Sequence, residues 1–141
     1  MRYPIEITTP IAKDLTDFGF EGLTTSDQVD SVLGSKDGTV LMVVNSICGC
    51  AAGNARPAAK FALHHASTPT KAVTVFAGVD TEAVEKAREY MLPYPPSSPA
   101  IALFKEGSLV HMIERHQIEG RSAQMIADEL VQAMNSHCVP A

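Results

Sequence analysis

The sequence predicts an α/β fold: a central, mixed, four-stranded sheet flanked by helices, with a helical extension at the N-terminus. Three observations carry this reading. Thr39–Asn45, Lys71–Phe76 and Ala100–Phe104 are nearly continuous apolar runs rich in strand-forming residues, as expected of strands buried on both faces. Segments of helical composition separate each run from the next. A turn at Glu106-Gly107 then returns Leu109–Ile113 antiparallel to the third strand, which makes the sheet mixed.

Each element has its own warrant. Thr8-Thr9-Pro10 predicts the start of a short helix reaching Phe18, with proline in its first turn. Ser26-Asp27-Gln28-Val29 caps a second helix that ends at Leu33, before Gly34. After the first strand, Cys50–Leu63 has helical composition, with Pro57 expected to kink it. Thr81-Glu82 opens a charged amphipathic helix to about Met91; Glu82, Glu85, Lys86 and Glu89 read as its solvated face. Tyr94-Pro-Pro-Ser-Ser-Pro99 holds too many prolines for helix or central strand and is expected as a loop. Gly120-Arg121-Ser122 leads into a last helix, Ala123 to Met134, with Met125, Ile126, Leu130 and Val131 at helical spacing. The expected order is ααβαβαββα.

A chain of 141 residues suffices for one domain with a core that needs no disulfide staples. Within residues 1–141 the reading separates a helical extension (1–38), a core (39–135) and a tail (136–141). Apolar residues at 45% and charged residues at 19% mark a globular chain. The net charge of −5 gives no basic footprint, so nucleic acid is not an expected partner. No apolar run approaches the roughly 18 residues of a membrane helix, and MRYPIEITTP lacks a secretory h-region, so a cytoplasmic protein with no membrane partner is expected. The apolar N-terminal segment would suit packing on a second copy as a homodimer.

In a reducing compartment, closely spaced cysteines point to redox or metal chemistry rather than to structural disulfides. The stretch VVNSICGCAAGNARPAA puts Cys48 and Cys50 on either side of Gly49, where a strand runs into a helix. The first turn of a helix offers unpaired N–H groups and the positive end of the macrodipole, which lowers the pKa of a thiol placed there. Cys48 is therefore the expected nucleophile. Cys50, one step further in and more sheltered, is the expected resolving thiol, and Gly49 would relieve the small ring that their disulfide closes. Such a ring is strained and easily reduced.

The element order after residue 38, with cysteines at the first strand-to-helix junction, resembles the thioredoxin fold. Ser98-Pro-Ala-Ile-Ala-Leu-Phe-Lys-Glu-Gly107 is similar to that family's cis-proline strand and following turn. The resemblance implies that Pro99 is cis and that Ser98, with Pro99, binds substrate backbone beside the cysteines. More narrowly, VVNSICGCAAGNARPAA, FGFEGLTT and ERHQIEG resemble the bacilliredoxin family, and the likeness spans nearly the whole chain. It implies a redox-active Cys-Gly-Cys centre that removes bacillithiol, or a similar low-molecular-weight thiol, from mixed disulfides on S-thiolated client proteins. Cys48 would attack the small thiol's sulfur and release the client; Cys50, or a free thiol, would resolve the adduct. The thiol is a co-substrate, and no bound cofactor is implied. Two departures from thioredoxin stand out. Ile47 replaces the tryptophan before the first cysteine, and Met42 occupies the place of a buried aspartate.

Rival readings remain at this stage. The same cysteines would serve a disulfide isomerase or oxidant, or the thiols could be incidental to a buried turn. A metal carrier could use Cys48, Cys50 and His137-Cys138 as soft ligands. Cys138 itself reads as an exposed, unpaired thiol in the tail, with an auxiliary redox role as the sharper reading. Arg115 and His116 follow the last strand, where the fold would bring them near the cysteines: Arg115 to bind an anionic thiol, His116 to polarise Cys48. His64 and His65 suit a helix C-terminus, His111 reads as structural or surface, and Arg56 and Lys60 read as surface charges.

Overall fold

The structure, a computed structural model, describes residues 3–138. Its centre is β2 (Thr39–Asn45), buried along its whole length. β2 pairs in parallel with β3 (Lys71–Phe76) and antiparallel with β4 (Ala100–Lys105), which in turn pairs antiparallel with β5 (Ser108–Ile113). The four expected strands all form, and a two-residue strand, β1 (Glu21–Gly22), adds to the far edge of β3. The sheet order is β1-β3-β2-β4-β5. β1 lies within the stretch expected to be wholly helical; it is too short to leave a periodic signal.

Alternation along β2 divides the core in two. Leu41 and Val43 face one side with Ile101 and Leu103 of β4, beneath helices α1 (Ile5–Thr16), α3 (Arg56–His65) and α6 (Ala123–His137). Val40, Met42 and Val44 face the other side with Ala102 and Phe104, beneath α2 (Ser26–Leu33) and α4 (Thr81–Tyr90). On α3 the buried positions are Ala58, Ala59 and Ala62, small side chains that let this helix lie close to the sheet and to α6.

Local chemistry explains the boundaries. α1 begins earlier than Thr8 because the Pro4 carbonyl accepts the Ile7 and Thr8 N–H groups at 3.0 and 3.1 Å, and Pro10 is carried inside the helix on an exposed face. Thr25, one residue ahead of the expected cap, closes a capping box with Gln28 at the start of α2. Glu82, expected on a solvated face, also accepts the Ser26 N–H and hydroxyl at 2.9 Å, joining α4 to the mouth of α2. The β4–β5 turn places Glu106 and Gly107 at φ +53° and +82°, the left-handed pair a two-residue hairpin loop requires. The kink expected at Pro57 takes the form of a π-helical turn, Ala51–Ala55, immediately before α3. There the Arg56 N–H reaches back to Ala51, and the widened turn admits the missing donor of Pro57. A short α5 (Arg115–Ile118), unforeseen from the sequence, is closed by a capping box between Glu114 and Gln117.

Cys138 corrects an expectation. It is 4% exposed and packs in the core beside α6, which runs on to His137 instead of stopping at Met134. The Cys138 N–H still bonds the Met134 carbonyl at 2.7 Å, so the last helical turn carries this thiol inward. Among the described residues no helix is long and apolar enough to cross a membrane. The burial of Cys138 predicts that iodoacetamide modifies it in the native protein at less than about a tenth of the rate at Cys48, and that denaturant removes the protection. Peptide mass mapping of pulse-labelled samples measures both.

Candidate active site

The site begins where β2 ends. The Asn45 side-chain carbonyl accepts the Ser46 N–H at 2.8 Å and Arg56 Nη1 at 3.0 Å. Arg56 Nη1 also reaches the Ser46 carbonyl at 3.1 Å, and its Nε bonds Asp14 of α1 at 2.9 Å. Arg56 is thus 7% exposed, a buried clamp and not the surface charge the sequence suggested. Lys60, half-buried, adds a 2.6 Å bond to the same Asp14. Burial pushes the Asp14 carboxyl up, but the Lys60 and Arg56 hydrogen bonds and charges outweigh it and hold Asp14 below its ordinary value.

From this clamped corner the chain turns through Ile47 to Cys48. The Cys48 N–H donates to Ser46 Oγ at 3.1 Å, and its carbonyl accepts the Ala51 and Ala52 N–H groups at 3.1 and 3.2 Å. Cys48 therefore stands at the mouth of the helical segment, as the motif predicted. Gly49 is exposed, lacks a positive φ, and a Cβ there would meet nothing within 4 Å. The open dithiol turn has no steric need of glycine, which restricts the expected reason for it to the closed ring.

Cys48 and Cys50 are both half-buried free thiols, so burial alone does not separate them. Their surroundings do. Burial raises the Cys48 pKa, but the Ser46 hydroxyl, the Ala51 and Cys50 N–H groups and the Arg115 cation together hold it below the ordinary thiol value. Cys50 is pushed up by burial, by the charge of Cys48 and of Glu119, and by a hydrogen bond with Cys48, against a smaller pull from Arg115. One thiol is prepared as thiolate while its neighbour keeps its proton.

A cavity of about 700 Å3 opens in front of Cys48, lined there by Ser46, Ile47, Ser98 and Arg115. The Ser98–Pro99 bond is cis, as the resemblance implied, and Ser98 lines the cavity while Pro99 is buried behind it. Arg115 Nη1 donates to the Ser98 carbonyl at 3.1 Å, and the Arg115 N–H donates to Ser97 Oγ at 3.3 Å. Its Nε pairs with Glu119 at 3.2 Å. The structure thus brings Cys48, Ser98 and Arg115 to one cavity. His116, exposed on α5, is not among the residues lining it, and neither is Cys138. His64 and His65 end α3 as expected, against Phe18 and Phe61, and His111 pairs with Glu129 at 2.6 Å. Met42 is fully buried in the apolar core.

Sequence reading missed the roles of Ser46 and Arg56. The Ser-x-Cys spacing was the available signal for Ser46, because a serine hydroxyl commonly accepts the N–H two residues on. For Arg56 no local signal exists, since its partners Asp14 and Asn45 are distant in sequence or on another element. The metal-carrier reading finds no support: among the described residues no three His, Cys, Asp or Glu side chains gather where an ion would be held.

Comparison with known proteins agrees with this geometry. A family model described as Disulphide isomerase matches residues 3–138. The bacilliredoxin of Cytophaga hutchinsonii is 57% identical over 128 residues, covering 91% of this chain and 94% of that one. The bacilliredoxin of Salinibacter ruber is 50% identical, covering 98% and 82%, and that of Halalkalibacterium halodurans is 48% identical, covering 96% and 94%. Among solved structures, an oxidoreductase described as having a thioredoxin fold superposes with a TM-score of 0.64 at 17% identity, covering 80% of this chain and 91% of that one. Thioredoxin O2 of Arabidopsis thaliana gives 0.55 at 15% identity, covering 84% and 96%. A half-buried Cys-Gly-Cys pair on a thioredoxin-like sheet, in a chain this similar to its relatives over nearly its whole length, belongs to the bacilliredoxin family.

Proposed function

We propose that this thiol-disulfide oxidoreductase clears a low-molecular-weight thiol from S-thiolated client proteins, with Cys48 as nucleophile and Cys50 as resolving thiol. The class of reaction and the use of a small thiol as co-substrate follow from family membership. Bacillithiol is the thiol that the relatives' name suggests. The assignment of roles rests on one observation: the two thiols, one residue apart, sit in opposite electrostatic environments.

The Cys48 thiolate attacks the small thiol's sulfur in the mixed disulfide, and the electron pair of the broken S–S bond leaves with the client sulfur. A new S–S bond joins Cys48 to the small thiol. This consumes the Cys48 charge and its hydrogen bond, two of the causes that kept Cys50 protonated. Cys50 is therefore deprotonated more readily once the adduct exists, and its thiolate attacks Cys48 and expels the small thiol. No buried carboxylate is needed to time this step, which suits Met42 in that place. Ser98, with its carbonyl fixed by Arg115, is the backbone against which the client chain rests.

The family model's description favours a second use of the same thiols, isomerisation of scrambled disulfides. Comparing client de-thiolation with recovery of activity from a scrambled protein separates the two.

Alkylation of the reduced protein against pH should show Cys48 with an inflection below the free-thiol value of about 8.5 and Cys50 with one above it. Arg115→Ala removes a cation that favours the thiolate, so the Cys48 inflection should move to higher pH and its neutral-pH rate should fall. Equal inflections for the two thiols would remove the assigned roles. Cys48→Ser should reduce de-thiolation to the uncatalysed rate, whereas Cys50→Ser should still release client and accumulate the small thiol on Cys48, seen as an added mass. Because the reduced state is stabilised by the Cys48 thiolate and the oxidised ring closes over one residue, the couple should be more oxidising than thioredoxin's roughly −270 mV. Redox titration against glutathione measures this.

A further inference from the structure

The cavity in front of Cys48 has a second wall, built by α4, that the exchange chemistry does not use. Val84 and Arg88, one helical turn apart and so on one face of α4, both line it, together with Glu85. Arg88 Nε is buried and has no hydrogen-bond partner among the described residues, and Arg88 is in no ion pair there. The other lining cation, Arg115, is already occupied by Ser98 and Glu119. A guanidinium donor withdrawn from water without an acceptor is costly unless something else supplies one. At about 700 Å3 the space falls within the range of small-molecule sites.

We propose that this cavity seats the small-thiol half of the mixed disulfide, and that Arg88 binds a carboxylate carried by that thiol. The inference rests on the exchange reading above and narrows its co-substrate to anionic, carboxylate-bearing thiols. Arg88 then acts as a specificity-determining residue. With the carboxylate on Arg88, the small thiol's sulfur, and not the client's, is presented to the Cys48 thiolate. The S–S bond breaks toward the client, which leaves with the electron pair and takes up a proton, and the small thiol remains in the cavity as the Cys48 adduct. Burial with no charged partner holds the Arg88 guanidinium below its ordinary value, so an arriving carboxylate also relieves a penalty present in the empty cavity. Glu85, exposed on the same wall, opposes the anion and limits its affinity.

The test uses the full chain and one client protein S-thiolated in two ways, with 6-mercaptohexanoate or with 6-mercaptohexan-1-ol. These adducts share a chain length and differ in the terminal charge. The readout is the ratio of kcat/KM for the acid adduct to that for the alcohol adduct. The native chain should prefer the acid, and the preference should shrink as salt rises. Arg88→Gln should cut the ratio about tenfold or more, mainly through KM for the acid adduct, as expected for the loss of a hydrogen bond to a charged group. Arg88→Lys should restore part of it. Glu85→Gln, a change at an exposed position, should raise the ratio, and it decides the matter if Arg88→Gln does not fold. A native chain that clears both adducts with no preference overturns the carboxylate site and leaves the exchange function standing. The same holds for a ratio unmoved by Arg88→Gln, or one unmoved or lowered by Glu85→Gln. A native chain that clears neither adduct overturns both.

Discussion

Everything at this site depends on the corner where β2 stops, and that corner is held by one buried guanidinium. Arg56 joins three elements: Asp14 on α1, the Asn45 side chain at the end of β2, and the Ser46 carbonyl in the turn itself. A buried arginine is tolerated only when its donors are satisfied, and here each bond it makes also fixes backbone within two residues of Cys48. Ser46, so placed, receives the Cys48 N–H and directs its own hydroxyl toward the sulfur. The N-terminal helix contributes to the site through this clamp. Asp14 keeps its charge because Lys60 and Arg56 both face it.

The second governing feature is the asymmetry between two thiols separated by a single glycine. Both are half-buried, so desolvation acts on each in the same direction, and the difference comes from what surrounds them. Cys48 has the helix-mouth amides, a hydroxyl and a guanidinium; Cys50 has a neighbouring thiolate and Glu119. Coupling between the two sites then supplies an order of events without a dedicated proton carrier. Once the first thiolate is spent, the obstacle to forming the second is reduced.

The cavity extends this asymmetry outward. Its near wall, at Ser98 and Arg115, is internally satisfied, with backbone and guanidinium already bonded to each other. Its far wall, on α4, has a donor with no acceptor. A surface satisfied on one side and wanting an anion on the other suits a mixed disulfide, which has two unlike halves.

The sequence by itself determined the sheet, the position of the two thiols and the cis proline beside them. Continuous apolar runs bounded by turn residues encode buried strands locally, and the Cys-Gly-Cys block sits at the end of one. It also marked Arg115 as a candidate, from its place after the last strand. Tertiary structure alone decided the rest. Arg56 read as a surface charge because its anion and amide partners lie on α1 and at the end of β2, and helical spacing carries no record of them. Cys138 read as an exposed tail thiol because nothing in the last residues shows that α6 continues one turn further and carries the sulfur into the core. Arg88 read as part of a charged helix because burial of a single donor depends on the wall opposite, which only folding supplies. Local pattern encodes elements; partners for charges are chosen across the fold, where Coulomb and hydrogen-bonding terms act between residues far apart in the chain.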